Sequence, residues 1–266
     1  MLRDGNSPHR LEVRDLTVAF GPNVIQRNLS FAVRPRSIFA IMGGSGCGKS
    51  TVLKAMIGLL APAGGTVLVD GEDYWAIGER RRVDIRRRFG VLFQGGALWS
   101  SMTVSENVAL PLQMFTRLDA AAIDMLVDLK LALVGLAGVG DKMPSELSGG
   151  MRKRAALARA LALDPDILFF DEPSAGLDPI TSNRLDDLIL ELSSGLGATV
   201  VIVTHELASL FAICDDGVFL DVQTRTGIAR GSPRHLRDTC DDPTVRAFME
   251  RGHHETTTLA GETHGG

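Results

Sequence analysis

The sequence predicts an α/β fold with a largely parallel sheet. Three observations point there. Short apolar runs alternate with helix-length stretches between Ile167 and Val222. Another apolar run, residues 37–42, ends in a glycine cluster and is followed by apolar residues at helical spacing. Finally, 266 residues with 45% hydrophobic and 23% charged side chains suffice for one large domain or two small ones, which excludes a wholly disordered chain.

Taken in order, residues 11–18 mix polar and apolar side chains and read as a strand, as do residues 28–33. Residues 37–42 are apolar almost throughout, the pattern of a strand covered on both faces. From Lys49, the pairs Val52 and Leu53, Met56 and Ile57, and Leu59 and Leu60 recur on one helix face, until Pro62, Gly64 and Gly65 stop it. Residues 66–70 and 90–93 are further buried-strand candidates. From about 96 to 153 no strong strand is found, so a helical insertion is expected. In it, Thr103 with Glu106 forms a capping-box pattern opening a helix toward Leu110. Residues 119–133 and 151–163 also read as helices. Strand 167–170, helix 181–192, strand 199–203, helix 206–213 and strand 217–222 follow. One domain over about 10–250 results. Residues 251–266 lose hydrophobicity and read as a mobile tail.

Composition removes several function classes. Lys and Arg number 28 against 32 Asp and Glu, a net charge of −4, which argues against coating nucleic acid by bulk charge. Aromatics are only 5%, with Tyr74, Trp75 and Trp99 the only large polar ones, too few for a base-stacking surface. Cys47, Cys214 and Cys240 are odd in number and far apart, so no disulfide framework is expected and a reducing compartment fits. The polar N-terminal decapeptide has no apolar stretch of a secretory signal. The longest nearly uncharged apolar stretch, residues 131–140, falls far short of the ~20 needed to cross a bilayer. Arg80, Arg81, Arg82, Arg86, Arg87 and Arg88 form a basic cluster, read as a solvated face, with attraction to anionic lipid head groups as the sharper alternative. His253, His254 and His264 in the tail make a poor metal site.

The strongest chemical signal is GGSGCGKS at residues 43–50, a GxxxxGK[ST] phosphate loop. Gly43, Gly44, Ser45, Gly46, Cys47 and Gly48 let successive backbone N–H groups curl around phosphate oxygens, and the helix that follows, with Thr51, presents its positive end. Lys49 is expected to reach the terminal phosphates and Ser50 to take one Mg²⁺ position. Cys47 reads as a tolerated loop residue, not a redox centre. Asp171 and Glu172 end the apolar run 167–170, where α/β sheets bind ligands. Alone they are an ordinary strand end. Beside a phosphate loop, Asp171 is expected to hold Mg²⁺ through water and Glu172 to polarise the attacking water.

Between these motifs stands LSGGM at residues 147–151. Together the motifs resemble the ATP-binding-cassette (ABC) ATPases, whose signature is LSGGQ, over about residues 10–250. The resemblance implies a P-loop NTPase (RecA-like) core with a mainly parallel sheet, an antiparallel β-subdomain and the inserted helical subdomain at about 96–153. It assigns Phe20, otherwise a core aromatic, to adenine stacking and Gln94, otherwise a loop residue, to Mg²⁺ and the link to the helical subdomain. It places Asp178 in the loop beside the nucleotide and makes His205 a partner of the γ-phosphate or attacking water. Ser148, Gly149 and Gly150 open a helix, and the resemblance makes their N–H groups a phosphate contact for a second copy's ATP. Met151 replaces the family's Gln.

The segment QGGALW at residues 94–99, the stretch 143–151, the run RKRAALARA after it and DPIT at residues 178–181 are similar to the ATPases of Mla/MCE-type phospholipid transporters. The Met151 departure is shared with that subfamily. The similarity implies ATP and Mg²⁺ as cofactors, a head-to-tail homodimer, an integral-membrane permease, an MCE-domain lipid-binding protein, no nucleic acid, and a peripheral position on the cytoplasmic face of the inner membrane. Another ABC importer or exporter ATPase is the alternative, disfavoured by residues 95–99. A nucleic-acid-acting ABC protein would add a coiled coil or a second cassette, and LSGG and His205 have no role in a P-loop kinase.

Overall fold

The computed structural model describes residues 8–258, with side chains to residue 250. Two sheets share the chain. The first is antiparallel, in the order β2-β1-β4-β5, from β1 (Leu11–Phe20), β2 (Asn23–Val33), β4 (Gly64–Val69) and the two-residue β5 (Glu72–Asp73). The second has the order β10-β9-β3-β8-β7-β6. It combines β3 (Ile38–Gly43), β6 (Phe89–Leu92), β7 (Ile167–Asp171), β8 (Thr199–Val203) and β9 (Asp216–Leu220), all parallel, with β10 (Gly227–Arg230) antiparallel at one edge.

The parallel strands read as unbroken apolar runs because both faces are covered. In β3, Ile38, Ala40 and Met42 join one core, and Phe39 and Ile41 join the other. In β7, Leu168 and Phe170 face the first core while Ile167 and Phe169 face the second. The first core lies under α3 (Val104–Phe115), α4 (Ala120–Leu133), α5 (Gly149–Ala160), α6 (Pro179–Gly195) and α7 (Leu207–Ile213), and the second under α1 (Lys49–Met56) and the antiparallel sheet.

Among the described residues, no strand interrupts 93–166. The capping box at α3 is present as expected, Thr103 Oγ1 accepting from the Glu106 amide and Glu106 returning to the Thr103 amide. Helix α1 is shorter than its periodicity predicts. It ends at Met56 because Gly58 turns left-handed (φ 86°) against Tyr74, whose Oη would lie 2.1 Å from any added Cβ, and Leu59 is then 63% exposed.

Three helices and two short strands add to the elements expected from the sequence. Helix α2 (Glu79–Arg86) buries only Ile85, while β5, β10, α8 (Pro233–Thr239) and α9 (Pro243–Thr258) lie at the sheet edges or the chain end. The boundary expected at residue 251 falls inside α9. Residues 259–266 and the tail histidine side chains lie outside what the structure describes. The basic cluster is largely neutralised in place. Arg81 pairs with Glu72, Arg82 and Arg86 with Glu79, Arg87 with Asp84, and Arg88 with Asp70 and Asp166. Little free positive charge is left there to attract a lipid surface.

Asp186 on α6 is a buried carboxyl against α7, where the Ser209 hydroxyl is its neighbour. Burial pushes its pKa up from 3.8 to about 6, an effect the neighbouring Ser209 only partly offsets and Glu206 adds to. A carboxyl with a raised folded-state pKa is neutral and harmless at low pH. It costs stability as pH rises from about 4 through 6, because the unfolded chain then releases the proton more readily. Asp186→Asn should therefore raise stability at pH 8 by about 2 kcal/mol, and the gain should shrink to little by pH 4. Denaturant melts at the two pH values check this, and a pH-independent difference would refute it.

Candidate active site

The phosphate loop follows β3 and enters α1, whose N-terminus has no side-chain cap. Its first amides are left free for an outside acceptor. Gly43 (φ 142°) and Gly48 (φ 96°) admit no side chain, since an added Cβ would meet Leu220 O at 2.4 Å and Ile25 Cγ2 at 2.5 Å. Gly44 and Gly46 face open space instead. The loop is fastened from behind by the buried Gln26 on β2, whose Nε2 donates to Cys47 O at 2.7 Å and Asp221 O at 3.1 Å. Cys47 itself is buried and burial pushes its thiol pKa up, which suits a packing role and not a redox one.

Lys49 is also buried, its Nζ donating to the Gly43 and Gly44 carbonyls at 2.9 and 3.0 Å. The neighbouring Ser50 Oγ donates to Asp171 Oδ1 at 2.7 Å, joining the loop to the end of β7. One residue on, Glu172 has a left-handed backbone (φ 51°) and its amide donates to Val203 O at 2.8 Å. For a residue with a side chain this backbone costs roughly 1–2 kcal/mol, the kind of strain that collects at reactive sites. Glu172 Oε1 lies 2.8 Å from His205 Nδ1, and Oε2 is buried without a partner.

Gly44, Gly46, Gly48, Lys49, Ser50, Glu172 and His205 line one cleft of 610 Å³, with Ser45, Thr51, Gln94, Ile25, Leu207 and Phe248 among its walls, while Asp171 reaches it only through Ser50. Such a volume suits a nucleotide-sized ligand. Ile25, Leu207 and Phe248 were not expected there. Only Phe248 carried a usable signal, the spacing of Val245, Phe248 and Met249, which marks a buried helix face.

Several expected site residues lie outside that cleft. Phe20 is 54% exposed at the tip of the β1–β2 hairpin, whose second strand does contribute Ile25. Ser148 caps α5, accepting from the Met151 amide at 3.2 Å, and with Gly149 is exposed to solvent. Asp178 caps α6, accepting from the Thr181 amide and hydroxyl, and these hydrogen bonds hold its pKa down. Within a single chain none of these touches the phosphate loop's cleft.

Oxygen donors near the loop fit a hard cation: the Ser50 hydroxyl, the Asp171 carboxylate and the Gln94 amide. Among the described residues no group of three His, Cys, Asp or Glu side chains could hold a metal unaided, so phosphate oxygens and water would complete its shell. No helix of the described residues is long and apolar enough to cross a membrane.

Comparison with known proteins bears on this geometry directly. The family model described as ABC transporter matches residues 26–175, spanning the phosphate loop, Gln94, the LSGG segment and both acids. A model described as AAA domain, putative AbiEii toxin, Type IV TA system, matches the shorter stretch 141–210. The chain is 44% identical over 240 residues to the intermembrane phospholipid transport system ATP-binding protein MlaF of Escherichia coli K12, covering 90% of this chain and 88% of that protein. It is 41% identical over 239 residues to the probable ribonucleotide transport ATP-binding protein mkl of Mycobacterium tuberculosis H37Rv, covering 90% of this chain and 66% of that protein. A solved ATP-binding cassette, captured as a dimer in a post-hydrolysis state bound to ADP and Pi, matches at TM-score 0.77 and 28% identity, covering 84% of this chain and 98% of that one. The α/β architecture, the cleft and these relatives agree, and the chain belongs to the ABC transporter family as one of its ATP-binding, ATP-hydrolysing subunits.

Proposed function

We propose that this subunit powers phospholipid transport between the inner and outer membranes of a bacterial envelope, in an Mla/MCE-type system. The 44% identity to MlaF over nine-tenths of the chain carries this reading. The 41% identity to mkl, named for ribonucleotide transport, favours a second one, in which another solute is moved by the same engine.

In the chemistry we infer, the free amides of the loop and Lys49 bind the phosphates. Ser50, Asp171 and Gln94 would hold Mg²⁺, which supplies charge neutralisation between the phosphates when bound. Glu172 takes a proton from water as its oxygen bonds to the γ-phosphorus and the bond to the bridging oxygen of ADP breaks. Oε2, buried and unpartnered, is the atom free to do so, while Oε1 rests on His205. Phe20 stacks the adenine from the hairpin that also supplies Ile25, and the site is completed as a head-to-tail pair forms, when Ser148, Gly149 and Gly150 of one copy approach the phosphates of the other.

The reading has the permease dock at the hollow of 350 Å³ between α2, β6, α3 and α5, lined by Arg87, Phe89, Phe115, Arg159 and Leu163 among others. Arg159 donates to the Gly96 and Ala97 carbonyls at 3.0 and 2.7 Å, so movement of the segment after Gln94 is tied to α5. In this reading the subunit lies on the cytoplasmic face of the inner membrane, with an MCE-domain protein across it and nucleic acid no partner.

Purification of the tagged chain from detergent-solubilised membranes of its native host tests this reading. A permease and an MCE-domain protein should co-purify, and the complex should move labelled phospholipid between vesicles only with MgATP. Recovery with a soluble solute-binding protein in place of the MCE protein would favour the second reading.

A further inference from the structure

Lys153 lies in a run, Arg152, Lys153 and Arg154, that resembles ordinary surface charge, yet it is only 8% exposed. Its ammonium group points from α5 to the far side of the catalytic strand end. There it donates to the carbonyl of Glu172 at 3.4 Å and, more closely, to the carbonyl of Ala175. The same Glu172 carbonyl also accepts from the Ala175 amide at 3.3 Å, so the turn 172–175 is closed around the Lys153 ammonium. Burial pushes the pKa of Lys153 down, while the carboxylates of Glu206 and Glu172 pull it back up. A cation placed in such surroundings is retained where its donors satisfy buried acceptors.

One of those acceptors belongs to the strained residue of the site, and the other closes the turn that follows it. Glu172 holds its left-handed backbone although it has a side chain, and such a conformation persists only where neighbours over-determine it. Val203 holds its amide from one side and Lys153 holds its carbonyl from the other. With the peptide fixed at both ends, the carboxylate is aimed so that Oε1 meets His205 and Oε2 stays unpartnered.

We propose that Lys153 is a positioning residue for ATP hydrolysis, its ammonium clamping the Glu172 and Ala175 carbonyls so that the catalytic carboxylate keeps its aim. Because Lys153 sits little more than one turn beyond Ser148 on α5, the clamp also ties the LSGG end of that helix to the chain's own reacting carboxylate. Engagement of Ser148 with a second copy's nucleotide is thereby felt at Glu172. The proposal rests on Glu172 being the base.

The test is steady-state ATPase kinetics and fluorescent-nucleotide binding on Lys153→Met, Lys153→Gln and Lys153→Arg, with Glu172→Gln as a second background. The Met and Gln variants should lose about tenfold or more in kcat, the scale of a misplaced catalytic group, with MgATP affinity within about twofold. Arg, which keeps the charge and the donors, should recover part of the loss. In the Glu172→Gln background the Lys153 substitutions should add nothing, since they act through that residue. A folded Met variant, or a Gln variant if Met does not fold, with unchanged kcat overturns the clamp. So does a parallel loss of kcat and nucleotide affinity, or additivity with Glu172→Gln. If Glu172→Gln alone turns over normally, it is the general-base assignment that fails. A crystal structure of the Gln variant then decides the clamp by itself: φ of Glu172 leaving the left-handed region supports it, and an unmoved Glu172 overturns it.

Discussion

Glu172→Gln should bind MgATP as the wild type does and hydrolyse it at least ~10²-fold more slowly, the scale of a lost general base. The amide is nearly the same size, and it can still meet His205 Nδ1 at the 2.8 Å position now held by Oε1. What it cannot do is accept the proton that Oε2 is placed to take. The substitution also exchanges an unpartnered, ionisable carboxylate oxygen for a neutral amide group, which costs less to bury, so the melting temperature should not fall. A slow variant that still captures ATP should accumulate as ATP-dependent dimers, seen by size exclusion or light scattering. Turnover near the wild-type rate would take Glu172 out of the reaction and leave His205 as the group to examine.

How much of this site could be read from sequence follows from how each part is buried. Strands β3, β7 and β8 are covered on both faces, so their apolar runs were legible, and so were the loops they aim at the cleft. The capping box of Thr103 and Glu106 marked the helical insertion because its partners lie within one turn. Helix α2 was hidden for the opposite reason. It buries Ile85 alone, and its arginines, paired locally with Glu72, Glu79 and Asp84, look like a charged surface. Lys153 was hidden in the same way, since nothing in a run of three basic residues says which one turns inward. Phe248 reaches the cleft from nearly the end of the described side chains, and the spacing that marks its helix face as buried does not say what that face meets. The strain at Glu172 is likewise a property of the assembled turn, because glutamate has no preference for φ > 0 that could announce it.

The second large effect concerns assembly, and the exposed N-terminus of α5 is its basis. Ser148 and Gly149 lie in solvent, outside the cleft that holds Lys49 and Glu172. If two copies meet head to tail, each site takes its phosphate loop from one copy and its LSGG segment from the other. Ser148→Arg should then abolish turnover while leaving nucleotide binding to its own loop, and Lys49→Ala should weaken MgATP binding and abolish turnover. Neither variant is active alone, because every site in either homodimer carries a lesion. A mixed pair is different. One of its sites combines Lys49 of the first chain with Ser148 of the second and is intact, while the other site carries both lesions. Random pairing makes half the dimers mixed, each with one intact site of two, so about a quarter of wild-type turnover is the ceiling. Activity in the mixture above that of either variant alone establishes composite sites. An inactive mixture has two explanations, sites that must fire together or sites that are not composite. They are separated by cysteines placed at Ser45 of one chain and Ser148 of the other. ATP-dependent crosslinking in the inactive mixture means that the sites assemble and fire only as a pair. If crosslinking also fails in the wild-type background, Ser148 never approaches a second copy's phosphate loop, and the head-to-tail assembly is wrong.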